Sequence, residues 1–225
     1  MALPLLHRRI TLGWLGGLAA SPFGLAQTPK MPFRMAVSDN YAPFYLVENG
    51  RARGIVIDIL SEVIGKQMGI PIEFEAYPWA RAQFMVEKSG YDALCTIANP
   101  NRLTYTVASD ESVLINNFHL FVHKDNRLLP DLRKVSAIDG LAALNPKAIS
   151  YLGSGWSANN LAGIELNLVG NFETVMRMLL ARRADIMIDG ESNVKNWLAS
   201  HKDDLGRSNS EDIVMSAPYL CCDPF

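Results

Sequence analysis

Between Arg34 and Ser200 the chain runs twice through the same order of elements, and that repetition narrows the folds open to it. Apolar runs at 34–37 (RMAV), 72–76 (IEFEA) and 92–97 (DALCTI) alternate with helical stretches at 55–68 and 79–89. In the first helical stretch Val56, Ile59, Leu60, Val63, Ile64 and Met68 share one face, Asp58, Glu62 and Lys66 lie opposite, and Gly69 supplies a stop. The order returns as strand 148–152 (AISYL), helix 156–163, strand 165–169, helix 172–182, strand 184–188 and helix 191–200. Phe172, Val175, Met176, Leu179 and Leu180 follow the helical spacing closely, behind a predicted Asn171 cap. Two successive βαβαβ units predict an α/β protein of two lobes, each a mostly parallel sheet flanked by helices.

Two extended segments, 112–126 and 212–220, are suited to crossing between the lobes. The expected division is lobe one at 30–116, completed in part by 217–225, and lobe two at 117–216. In open parallel sheets ligands bind beyond the carboxyl ends of the strands. The loops at those ends are "SDNYAPFYLVENGRARG", with a tight hairpin expected at Asn49-Gly50, then "ANPNRL" with Arg102, "GSGW" and "DGES". Aromatic, cationic, glycine-rich and acidic loops facing one cleft suit a small zwitterionic or polar ligand.

Residues 1–26 read as an export signal: Arg8 and Arg9 precede an apolar run from Ile10 to Leu18, and Gly24-Leu25-Ala26 offers small residues for cleavage near Ala26. The run is shorter than the ~20 residues that span a bilayer. Arg8-Arg9 leaves a twin-arginine route open, although Thr11 stands where a bulky apolar residue is expected. Cleavage removes two of the 21 basic residues and none of the 23 acidic ones, leaving a net charge of −4. Such a chain has no general attraction for nucleic acid. Cys95, Cys221 and Cys222 are an odd set without metal-finger spacing; Cys95 reads as a small buried hydrophobe.

Other chemistries are poorly supported. His119 and His123 are four apart, but "FHLFVHK" reads as a strand, which would set them ~13 Å apart. "GSGWSA" (153–158) mimics a dinucleotide fingerprint, yet Trp156 is bulky where the helix must approach the phosphates. No cofactor and no metal is expected.

"YAPF", Gly54 with Asp58, "YDAL", Arg102, "GS" before a helix and "RRAD" before a strand, in that order, resemble the periplasmic solute-binding proteins of the polar amino-acid type, family 3. The resemblance spans roughly residues 33 to 220. It implies the two-lobed type II periplasmic-binding-protein fold with a cleft between lobes, a small carboxylate ligand, a membrane permease of the ABC type as partner, a periplasmic location and a monomer. Arg102 looks like the arginine that grips the ligand carboxylate in a bidentate fork. Thr96 takes the place of a hydroxyl near that carboxylate, and Tyr41, Phe44 and Trp79 look like aromatic walls. Ser154 and Gly155 stand at a helix start expected to offer hydroxyl and backbone N–H donors to an anion, and Trp156 beside them is a further candidate contact. The acid that receives the ligand amine usually lies five residues after the aspartate of "AD"; here that position is Gly190, so Asp189 or Glu191 must serve.

Asn99-Pro100 stands where a serine or threonine is expected, and Arg81 is an added charge near the aromatic wall. The family continues beyond the returning strand with a strand and a helix that complete lobe one, whereas this chain stops seven residues after Pro218. The expected activity is solute binding without catalysis. The same fold also resembles a periplasmic enzyme that removes water and carbon dioxide from prephenate or arogenate, with Glu191 or Asp189 as its acid, and a solute-sensing module is a further alternative.

Overall fold

The computed structural model describes residues 30–202 and 211–221, so the expected export signal and Cys222 lie outside the described residues. In the first half, strand β1 (Phe33–Ser38) pairs in parallel with β5 (Ile72–Tyr77). Alternate β1 side chains face opposite layers, as the pleat requires. Met35 and Val37 pack on Val56, Ile57 and Leu60 of helix α1 (Ile55–Leu60), while Ala36 packs on Ala82 and Val86 of α2 (Trp79–Glu87). Between β1 and α1 runs a small antiparallel meander of β2 (Asn40–Tyr41), β3 (Tyr45–Glu48) and β4 (Arg51–Arg53). Its tip is the expected Asn49-Gly50 turn, with both residues at positive φ.

The predicted helix 55–68 forms in two parts. Beyond α1 the coil widens into a π-helical stretch at Ser61–Gln67, seen in the bond from Met68 N–H to the Val63 carbonyl at 3.0 Å. The predicted strand 92–97 does not form as a strand. Only Ala93 bridges to Met35; farther along, the Cys95 carbonyl accepts from the Tyr45 hydroxyl (2.7 Å) and the Ile97 carbonyl from Arg102 Nη1 (2.7 Å). Side-chain donors take the carbonyls that a neighbouring strand would have used.

The second half is a five-stranded sheet in the order β10-β6-β9-β7-β8, built from β6 (Phe118–His123), β7 (Ala148–Tyr151), β8 (Leu166–Val169), β9 (Ile186–Gly190) and β10 (Ile213–Cys221). Phe118, Leu120, Val122, Ile186 and Ile188 face one layer, with Leu132 of α3 (Leu129–Leu132), Leu141 of α4 (Asp139–Leu144) and Trp156 of α5 (Gly155–Asn160). Phe121 and Met187 face the other, with Val175, Met176 and Leu179 of α6 (Phe172–Leu180) and Val194 and Trp197 of α7 (Glu191–Ser200). The Asn171 cap is present: its side chain accepts from Thr174 N–H at 2.9 Å. Residues 217–221, expected to help complete lobe one, run along β6 in this sheet, with Cys221 opposite Phe118.

Candidate functional site

Arg102 is placed by local chemistry. Asn99 Oδ1 accepts from Arg102 N–H at 2.9 Å, an asparagine turn that Pro100 stiffens and that leads into a single 3₁₀ turn, Arg102–Thr104. Although charged, Arg102 is only 5% exposed. Its Nη1 donates to Ile97, its Nε to Gln83 Oε1 at 3.0 Å and its Nη2 to the Gly153 carbonyl at 3.1 Å, and its guanidinium lies 5.4 Å from the Trp79 ring centre. Burial lowers its pKa.

Arg102 borders a cavity of about 230 Å³. Its wall also includes Tyr41, Trp79, Thr96, Ser154, Gly155 and Trp156, so seven of the ten expected site residues, Arg102 among them, meet around one space. The fold explains the convergence: Tyr41 follows β1, Trp79 opens α2, Thr96 and Arg102 follow the Ala93 bridge, and the "GSGW" residues join β7 to α5.

Three expected residues are not in that wall. Phe44 is 7% exposed and packs beneath the meander with Met35, Val37 and Val56, because the chain turns it into the core. Asp189 is buried outside the cavity wall. It accepts from the Tyr41 hydroxyl (2.7 Å) and from Gly190 N–H (2.7 Å), and desolvation pushes its pKa up to about 6 despite those donors. Glu191, on the first turn of α7, is ion-paired with Lys195 one turn on, whose hydrogen bond lowers the Glu191 pKa. His119 Nε2 also approaches Glu191 at 3.5 Å.

Several residues that sequence reasoning missed do reach the cavity. Asp39 and Asn40 directly follow β1, Tyr151 ends β7, and Asn171 and Phe172 open α6. Asp39 could have been found, since it stands at the carboxyl end of the first strand, as the loop rule requires. Tyr151 and Phe172 read only as core residues; their rings lie 6.2 Å apart, edge to face, beside Tyr41. The cavity thus carries one cation and one carboxylate, Arg102 and Asp39, among aromatic faces.

Asn99 and Gly155 explain each other. A Cβ on Gly155 would overlap the Asn99 amide, so the glycine lets the two loops approach. His119 and His123 lie on the extended β6 and face different partners, Glu191 and Asp212. Among the described residues no cluster of three His, Cys, Asp or Glu could hold a metal ion.

The family model for bacterial extracellular solute-binding proteins, family 3, matches residues 33–199. The chain belongs to that family. No curated protein sequence matches it. Among solved structures it is similar to an arginine third transport system periplasmic binding protein from Legionella pneumophila (TM-score 0.68, 15% identity, 86% of this chain and 83% of that one). Holo ArgBP from T. maritima is similar at TM-score 0.65 and 16% identity, over 86% of this chain and 80% of that one. An ancestral arginine-binding protein bound to arginine gives TM-score 0.65 and 18% identity, over 86% and 82%. This family 3 protein therefore has the two-lobed type II fold, and its β1–β5 pair and its five-stranded sheet are separate sheets. Among the described residues no helix is long and apolar enough to cross a membrane.

Proposed function

We propose that this family 3 protein binds an amino acid or a closely related carboxylate in the periplasm and delivers it, as a monomer, to an ABC permease. The observation that carries the reading is the pairing of Arg102 with Asp39 in one small aromatic cavity. A guanidinium has more N–H groups than the three acceptors Arg102 engages, which leaves donors for a ligand carboxylate. Asp39 is the acceptor we assign to the ligand amine, in place of Asp189 and Glu191, which are committed to Tyr41 and Lys195. Trp79, Tyr41 and Phe172 would cover the apolar part of the solute and exclude water, which strengthens both charged contacts.

The proposed lobes are 30–116 and 117–216, and closure is a population shift: a solute that touches both stabilises the form in which they meet. The protein is read as a binder without turnover, since Asp189 and Glu191, the acids required by the dehydratase-like alternative, stand outside the cavity wall.

Thermal unfolding of the mature chain tests this, against a panel of amino acids that includes L-arginine and L-glutamine, with small organic acids and amines beside them. Saturation near 100 times Kd should add about 2.7 kcal/mol, a shift of several degrees. The expected result is a shift by a carboxylate-bearing solute that disappears in Arg102→Ala. A cooperatively unfolding wild type that no solute shifts, or a shift that survives in Arg102→Ala, would contradict the reading.

A further inference from the structure

The Gly153 carbonyl, in the loop between β7 and α5, stands among an unusual number of donors. Trp79 Nε1 donates to it at 2.9 Å, Gln83 Nε2 at 3.1 Å and Arg102 Nη2 at 3.1 Å, and Gly155 N–H from its own loop at 2.8 Å. A carbonyl oxygen has two lone pairs, so four N–H groups exceed its capacity and share it. The first three donors come from the lobe of β1–β5, and the acceptor comes from the other lobe. Gln83 is the residue that joins the parts: one end of its amide accepts from Arg102 Nε, and the other donates to Gly153.

The loop is shaped for this contact. Gly153 has φ +84, a conformation that L side chains rarely adopt, and a Cβ there would overlap Gln83 and Trp79. Gly155, two residues on, admits the Asn99 amide from the opposite lobe. Elsewhere along the cleft the lobes meet through Tyr41 on Asp189 and through Asn193 Nδ2 on the Ala42 carbonyl at 3.1 Å.

We propose that Trp79, Gln83 and Arg102 form a clasp on the Gly153 carbonyl that closes the cleft without solute. Solute then meets a protein that already samples its closed form, and the clasp sets how much of the empty population is closed. Gln83 is a positioning residue in this scheme. It orients Arg102 and bridges the lobes, and it is outside the cavity wall.

The Trp79 indole proton reports the clasp directly, because its acceptor belongs to the opposite lobe and opening exposes it to water. The test is its exchange rate with water, read by NMR in mature protein stripped of bound solute by unfolding and refolding, with the resonance assigned by its loss in Trp79→Phe. The expected result is a protected indole proton in solute-free wild type. In Gln83→Leu it should exchange about five- to tenfold faster, the effect of losing one ordinary hydrogen bond. Gln83→Met, which keeps the length of the chain without its amide, should match Gln83→Leu, and both should retain cooperative unfolding. An indole proton that exchanges freely in solute-free wild type would overturn the proposal. So would protection unchanged in both folded variants. Because no solute is added, these outcomes are separate from the identity of the ligand.

Discussion

Asp189 shows how far a side chain's role depends on what folds over it. Beside Gly190 at the end of a strand it reads as a ligand contact, yet Tyr41, 148 residues away, lies across it and takes up one oxygen. Nothing local in "DGES" announces that partner. Arg102 was legible from its loop beyond the third apolar run and from the family resemblance, whereas the Asn99 turn that sets it, within three residues, read only as a departure from the family pattern. The buried carboxylate has a consequence for pH. Its pKa is raised from 3.8 to about 6 in the folded protein, so the folded state holds its proton more tightly than the unfolded one. Stability from this group is therefore full below pH 3.8 and falls as pH rises to about 6, by on the order of 3 kcal/mol. Denaturant titrations of wild type and Asp189→Asn at pH 4 and pH 7 should show the wild type losing stability relative to the variant at the higher pH. Glu75 and Glu191, whose pKa values are lowered by hydrogen bonds from Tyr91 and Lys195, run the other way in both proteins and cancel in the difference. Gly155→Ala offers a steric counterpart. Its Cβ would meet the Asn99 amide, and we expect affinity for the bound solute to fall by about 1–3 kcal/mol, measured by calorimetry.

Elements with a strong apolar period formed where their sequences said they would. The helix expected at 172–182 is α6, Phe172–Leu180, with its cap in place and Leu179 fully buried against the sheet. Leu179→Ala should cost about 2–5 kcal/mol in denaturant unfolding. The same reading failed at 92–97, where the apolar run is real but the carbonyls of Cys95 and Ile97 bind Tyr45 and Arg102. Apolar pattern reports burial and is blind to which donor a carbonyl finds. It also missed β2 and β3, which are too short to carry a period, although the Asn49-Gly50 turn was legible from its dipeptide. Gly54 precedes α1 at φ 123, and a Cβ there would overlap the Phe44 carbonyl. Gly54→Ala should destabilise the meander and α1 together, by at least ~1–3 kcal/mol in the same assay.

Across the whole chain, the repeated βαβαβ order predicted two lobes, and the rule that loops gather at the carboxyl ends of strands predicted where they meet. Seven residues drawn from both halves do surround one cavity. What the sequence could not carry was the closure itself: Tyr41 on Asp189, Asn193 on the Ala42 carbonyl and the clasp on Gly153 each join residues more than fifty positions apart. Asp39 lines the cavity, whereas Asp189 lies outside its wall beneath the Tyr41 hydroxyl. The most direct measurement is a crystal structure of the mature protein with whichever solute the thermal panel selects. The account predicts that solute in the cavity, its carboxylate within hydrogen-bonding distance of Arg102 and its amine at Asp39. A solute seated elsewhere, or one bound in the cavity without touching Arg102, would contradict it.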